Sequence, residues 1–233
     1  MERNILVIGG NSGVGNELIK QLAAKGDHVI AGARDDREIS KVSGVTFHPF
    51  DALDRGATLN LPEKLDGVVY CPGTIQLKPF HRVTDEDFDQ ELQVNFFGAI
   101  NVIRQALPAL KKSESASVVL FSTVAVDTGI PFHSGISSAK GALEGLMRTM
   151  AAEFAPDIRV NCLALSLTDT ALAANLLSTE EKRKASAQRH PMKRIGDPAE
   201  VAQAAGFLLG KDSGFMTGQV MKIDGGISTI KIL

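Results

Sequence analysis

The 233-residue chain has two cysteines, Cys71 and Cys162, and one tyrosine, Tyr70. Two thiols give no disulfide framework and point to a reducing compartment. No apolar run is long enough to cross a bilayer. The start, MERNILVIGG, lacks the basic segment, long apolar core and cleavage site of a secretory signal. A soluble cytoplasmic protein, free of the membrane, is therefore expected. Neither sign of charge dominates: 25 Lys plus Arg against 27 Asp plus Glu leave a net −2, which argues against nucleic acid as a partner. No compact His, Cys and carboxylate spacing suggests a metal site, so no metal is expected.

What is present is a mixture suited to a packed globule. The chain is 44% hydrophobic with 22 glycines and 9 prolines, too apolar for disorder and too poor in glycine for collagen. At this length one well-filled domain spanning 1–233 is expected. Short apolar runs at 5–8, 29–31, 45–50, 67–71, 117–122, 159–163 and 220–224 read as strands. Between them lie amphipathic stretches with helical spacing: Val14, Leu18, Ile19 and Leu22, then Phe88 through Leu107, then Ala139 through Phe154, then 199–209. Thr84 and Asp87 have the spacing of a capping box at the start of the second helix, whose inward stripe is expected to be Phe88, Leu92, Phe96, Ala99, Ile103 and Leu107. Strands alternating with helices specify a doubly wound α/β fold. Residues 171–196 break the rhythm and carry Lys182, Arg183, Lys184, Arg189, Lys193 and Arg194. They read as a solvated helix or a mobile lid over a polyanionic small ligand, with a nucleic-acid patch as the weaker alternative.

The most specific local signal is Gly9-Gly-Asn11-Ser12-Gly13-Val14-Gly15, set between the first strand and first helix. Glycine allows backbone angles and close approaches that a Cβ would block, and the amides of such a turn suit a pyrophosphate at the helix start. A dinucleotide is expected there. The turn lacks the Lys-Ser or Lys-Thr pair of a phosphate-hydrolysing loop. After the second strand comes Arg34 rather than an acid; its guanidinium could pair with a 2′-phosphate, which favours NADP while leaving NAD possible. Asp51, after the third strand, could accept from the adenine amine or simply cap a loop.

Together these residues resemble the classical short-chain dehydrogenases/reductases over essentially the whole chain. The resemblance is carried by Gly9-x-x-x-Gly13-x-Gly15, Asp51, Asn95, Thr123, Lys140, Asn161, Thr217-Gly218-Gln219 and Asp224-Gly225-Gly226. It implies a Rossmann-like domain with a mainly parallel seven-stranded sheet, a small-molecule substrate, and a homodimer or homotetramer built through two long central helices. It also implies cofactor contacts at Cys71 and Gly73, where the family more often has Asn-Asn-Ala-Gly, and at Thr168 and Thr170 beyond the sixth strand. The family's active site joins Asn, Ser, Tyr and Lys. Asn95 and Lys140 match, and Thr123 falls at the serine.

Counting back from Lys140, the family's tyrosine position holds Ile136. Isoleucine offers no proton, and a positioned acid or base contributes about 10²–10⁴-fold to rate. His133, seven residues before Lys140, is the candidate substitute acid, with an ordinary polar loop residue as its bland alternative. Tyr70 is expected to be a half-buried aromatic at a strand end, and Cys71 to be a packing or cofactor-adjacent thiol. A second departure replaces the family's Pro-Gly with Leu165-Ser166. The leading expectation is an NADP-preferring carbonyl/alcohol oxidoreductase. The alternative is a catalytically impaired cofactor-binding sensor or assembly protein, and other reaction classes on this scaffold stay open.

Overall fold

In the computed structural model, which describes residues 3–231, seven strands form one all-parallel sheet in the order β3-β2-β1-β4-β5-β6-β7. The strands are β1 (Asn4–Ile8), β2 (His28–Ala33), β3 (Val45–Pro49), β4 (Gly67–Tyr70), β5 (Ala116–Thr123), β6 (Ile158–Leu165) and β7 (Val220–Ile223). The chain leaves β1 toward β2 on one side and later returns to β4 on the other. The order therefore reverses beside β1, and a crevice opens there at the carboxyl ends of the strands.

Alternation along each strand divides the core. Leu6, Val68, Val118 and Val160 face one side, where α3 (Gly98–Leu110) and α5 (Ser134–Phe154) cover them with Val102, Ala106, Leu143 and Met147. Ile5, Val7, Val69 and Val119 face the other side, under α1 (Gly13–Ala24) and α7 (Pro198–Leu209). Each fully buried Leu, Ile or Val contributes about 1.5–3 kcal/mol, so a strand with both faces covered is held far more firmly than an exposed edge. Two short helices complete the set: α4 (Ala125–Thr128) after β5, and α6 (Glu180–Arg189) within the basic segment. Asn161 anchors the sheet's last crossover: its amide donates to the Met216 carbonyl at 2.8 Å, and its side-chain oxygen accepts from the Gln219 amide at 3.1 Å.

The long helix expected after Thr84 is interrupted. Both arms of the capping box form at Thr84 and Asp87, and α2 (Asp85–Leu92) follows. A turn of π-helix then spans Gln93–Phe97 before α3 resumes. Such a turn displaces the following face and frees carbonyls. One of them, on Val94, accepts from the Tyr70 hydroxyl at 2.5 Å. Tyr70 is thus fully buried, not half-buried, and Gly98 is required opposite it because a Cβ there would overlap the hydroxyl. The expected stripe is corrected too. Phe88, Leu92, Phe96 and Leu107 are only half-buried, while polar Glu91 and Asn95 point inward.

Candidate active site

The turn after β1 is shaped by backbone. Gly9 and Gly13 take φ of 84° and 52°, the left-handed region. A Cβ on Gly15 would collide with the Gly9 carbonyl, so the first turn of α1 can lie against the end of β1 only with glycine there. Buried Asn16 donates to the Gly10 carbonyl at 3.2 Å and fixes the loop from behind. At the open end, Ser12 makes no side-chain cap and no acid occupies the first turn of α1. The helix therefore presents its positive end and free amides outward, which suits a phosphate group.

Arg34 is exposed at the end of β2 and makes no ion pair among the described residues. The neighbouring Asp35 is not exposed in that way. It accepts from Asn11 at 3.2 Å and from Arg37 at 3.0 Å, and the Arg37 guanidinium lowers its carboxyl to about 2. Asp35 thus joins the glycine turn to the end of β2, a link that sequence reading missed because the two stretches lie far apart in the chain. Asp51 is exposed and its carboxylate accepts from the Leu53 amide at 3.0 Å, the loop-cap geometry.

Across the crevice the site is made of side chains. Asn95, fully buried in the π turn, donates through Nδ2 to the Glu91 carbonyl at 2.8 Å, to Glu91 Oε2 at 2.9 Å and to Thr74 Oγ1 at 2.9 Å. Its Oδ1 is buried without a partner. Lys140, on α5, is 5% exposed and forms no ion pair or hydrogen bond among the described residues. Burial pulls its amine from the usual 10.5 down to about 8, against the pull of Cys162, Glu91 and Cys71. Gly73 lies between the two: a Cβ there would stand 3.6 Å from Asn95 Oδ1 and 3.9 Å from Lys140 Nζ. An unsatisfied amide oxygen and a free amine therefore both lie within ordinary contact distance of the same point, where a ribose hydroxyl or a water could meet them.

Thr123 ends β5, and its hydroxyl oxygen accepts from the Ala125 amide at 3.3 Å. Next to it, buried Ser122 donates to Glu144 at 2.6 Å, which clamps α5 to the end of β5 and fixes where Lys140 projects. Ile136 is 6% exposed, on the first turn of α5. His133 immediately precedes that helix, its Nδ1 bonded to the Pro131 carbonyl at 2.8 Å. Among the described residues no hydrogen bond joins His133 to Thr123 or Lys140. Burial pushes the Cys71 thiol up to about 12, so the neutral thiol is the form present near neutral pH.

The segment after β6 closes over the same end of the sheet. Thr170 packs on the glycine turn, since a Cβ on Gly13 would lie 3.1 Å from its methyl group. Thr168 is buried, pairs with Gly196 in a short bridge and donates to the Ser166 carbonyl at 3.1 Å. Ser166 meets buried His190 at 2.8 Å, and Asp169 takes a bidentate pair from Arg183 at 2.7 and 2.9 Å. The basic segment, which contains α6, is also held to the fold by a bidentate Arg194–Glu200 pair at 2.6 and 2.8 Å and by the Met192 amide, which donates to the Gly225 carbonyl at 3.2 Å; the other basic side chains of α6 are exposed.

Among the described residues, no helix is long and apolar enough to cross a membrane and no cluster of His, Cys or acids could hold a metal ion. Residues 8–228 match the family model described as enoyl-(acyl carrier protein) reductase. A tropinone reductase homolog of Arabidopsis thaliana is 34% identical over 242 residues, covering 97% of this chain and 92% of that protein. Dehydrogenase/reductase SDR family member 4 of Homo sapiens is 29% identical, covering 95% and 86%. Among solved structures, a short-chain dehydrogenase/reductase from Mycobacterium ulcerans superposes with a TM-score of 0.87 at 26% identity, covering 98% of this chain and 90% of that one. The protein ElxO with NADP bound gives a TM-score of 0.87 at 25% identity, covering 99% and 100%. The order of strands, the glycine turn and the matches along almost all of its length agree: the chain belongs to the classical short-chain dehydrogenase/reductase family.

Proposed function

We propose that this chain is an NADP-preferring oxidoreductase acting on a small carbonyl/alcohol pair. The observation that carries the reading is that the free Lys140 amine and the unpartnered Asn95 oxygen both approach Gly73, beyond the end of β4 at the carboxyl side of the sheet. The turn residues Gly9, Asn11, Ser12, Gly13, Val14 and Gly15 would hold the pyrophosphate, with Thr168 and Thr170 closing on it. Arg34 would take the 2′-phosphate, Asp51 the adenine, and Cys71 and Gly73 would line the ribose side. When bound, the nicotinamide supplies or takes up the hydride.

The chain's own residues do the rest. Thr123 orients the substrate oxygen by hydrogen bonding. Lys140 binds ribose hydroxyls and, with its amine near 8, can hold or release a proton close to neutral pH. Asn95 holds a water through its spare oxygen. Ile136, at the position the family gives to tyrosine, contributes no proton, so that task falls to Lys140, to the water on Asn95 or to His133. Residues 171–196 serve as the lid over the substrate. A cytoplasmic homodimer or homotetramer completes the proposal.

Burial of Ile136 favours a second reading, a cofactor-binding sensor whose chemistry has lapsed. Calorimetric titration with NADPH and NADH, followed by assays on a carbonyl and alcohol panel, separates the two. The oxidoreductase reading expects tighter NADPH binding and turnover. Binding without turnover, together with activity gained on Ile136→Tyr, establishes the sensor; no binding of either nucleotide overturns both.

A further inference from the structure

Lys140 and His133 compete for the proton that Ile136 cannot give, and among the described residues neither is hydrogen-bonded to Thr123 or to the other. Ser166 and His190 are bonded to each other. The Ser166 hydroxyl lies 2.8 Å from His190 Nε2, and His190 Nδ1 lies 2.9 Å from the Ser186 carbonyl. A carbonyl only accepts, so Nδ1 carries a proton; in the neutral ring Nε2 then carries none and accepts from the serine. His190 is 4% exposed and both its nitrogens are engaged, whereas Ser166 is half-buried. The serine hydroxyl is therefore the end of the pair that a ligand can reach, and the route by which the buried ring exchanges its proton.

The pair sits at the end of the sheet that bears Thr123. Leu165, the last residue of β6, is in register with Thr123 on β5, and its carbonyl accepts from the Val124 amide at 3.1 Å. Neighbouring parallel strands run about 4.8 Å apart, so Ser166 leaves the sheet directly beside Thr123. Four residues later Thr170 packs on Gly13. Residues 166–170 thus cross from the Thr123 end of the crevice to the glycine turn, the span of a dinucleotide whose pyrophosphate sits on that turn. Ser166 is at the reactive end of that span. Arg189 and Lys193, the charged residues nearest His190 in the chain, are turned to the Ser186 hydroxyl and the Gln188 carbonyl. Asp224, next to the Gly225 that packs on His190, is taken by the Gly226 amide and by Ser228. A hydroxyl therefore stands where the family resemblance places glycine, in a chain that lacks the family's acid at Ile136.

We propose that Ser166 is the catalytic acid of this chain, with His190 acting through it as the residue that positions and reprotonates its hydroxyl. The role rests on the oxidoreductase reading; the Ser166–His190 bond is a property of the cofactor-free chain. In the reducing direction the substrate carbon gains hydride from the reduced nicotinamide, and the electron pair of the opened C=O bond goes to oxygen. An O–H bond forms there as the Ser166 O–H bond breaks, and the serine regains a proton as the Nε2–H bond of protonated His190 breaks. The neutral imidazole takes a proton back from solvent through Ser166 once product has left. Oxidation reverses these steps, with neutral His190 drawing the alcohol proton through the serine. Thr123 keeps its part and orients the same oxygen.

One test needs no turnover. In the full, cofactor-free chain labelled with ¹⁵N at histidine, the neutral His190 ring shows a protonated Nδ1 and a bare Nε2, the signals being assigned by their loss in His190→Gln. Ser166→Ala moves the Nε2 signal and leaves Nδ1 in place. A neutral ring protonated at Nε2, or an Nε2 signal indifferent to Ser166→Ala, overturns the proposal. In enzyme that reduces a carbonyl, Ser166→Ala and His190→Gln each lower kcat/KM by about 10²–10⁴-fold. The double variant is no slower than the slower single one, as for two links of one chain. The proton inventory of kcat/KM in mixtures of light and heavy water is curved in the wild type, where two protons move together, and straight in each variant. A merely structural clasp would not change that shape. Additive losses, a straight wild-type inventory, or a Ser166→Gly enzyme as fast as the wild type overturns the acid and leaves the oxidoreductase reading in place. The wild-type inventory alone decides it if the variants fail to fold. A chain that binds NADPH and turns over no carbonyl overturns the oxidoreductase reading and, with it, the role of Ser166.

Discussion

At the end of β1 the chain shapes its site with backbone, and at the ends of β4 and β5 it does so with side chains. The first region needs glycine at Gly9, Gly13 and Gly15 because any Cβ would strain the turn or strike the strand. The second needs Asn95, Lys140, Thr74 and Glu91 brought together from three separate stretches, and its central amine is held in a charge state that burial opposes. A backbone cradle tolerates drift in everything except its glycines. A cluster of side chains instead depends on several groups from separate stretches holding one another in place, as Thr74, Glu91 and Asn95 do.

The largest effect is expected where the side-chain region carries the chemistry. Lys140→Met should lower kcat/KM by about 10²–10⁴-fold. It should also stabilise the fold at neutral pH by about 1–3 kcal/mol, because folding no longer buries an ammonium. The sign can be checked against pH. A lysine whose folded value lies below its unfolded one sheds protons on folding, so wild-type stability should rise between about 8 and 10.5 while the variant lacks that rise. Denaturant unfolding across that window measures it, and a destabilised Lys140→Met would break the contrast between the two regions.

Gly15→Ala tests the backbone cradle. The new methyl meets the Gly9 carbonyl, which cannot move without β1. Overpacking should cost about 1–3 kcal/mol and abolish calorimetric NADPH binding. Unchanged binding would show that the turn is only a connection. A smaller effect is expected at Arg34→Glu, which should reduce the preference for NADPH over NADH by about 10–100-fold, the value of a charged hydrogen bond. The smallest is Asp169→Asn. The Arg183 pair it removes is exposed, so the unfolding midpoint should hardly move. Limited proteolysis within 171–196 should nevertheless become faster, since one of the segment's ties is gone. Equal cleavage rates would mean that the remaining contacts, Ser166–His190, Thr168–Gly196, Met192–Gly225 and Arg194–Glu200, hold the segment without it.

The family, the parallel α/β architecture and the glycine turn were legible in the sequence, because each depends on local rules: apolar runs for covered strands, helical spacing for their covers, glycine where a Cβ cannot fit. Thr84 and Asp87 announced their capping box for the same reason. Glu91 could have been found as well, since it shares the inward face with Asn95 at helical spacing, but a charged residue on that face reads as an interruption. The π turn had no such signal. Its Val94 carbonyl takes the Tyr70 hydroxyl, and those two groups come together only when β4 packs under α3.

Sequence alone determined the alternation of strands with their covering helices, where the backbone must turn tightly, and that an isoleucine stands at position 136. Only the tertiary structure decided which charges are buried together. Glu91 and Asn95 meet Thr74 from a distant loop in one hydrogen-bonded cluster, and burial raises the Glu91 carboxyl and lowers the Lys140 amine, effects of lost water that no single stretch of chain possesses.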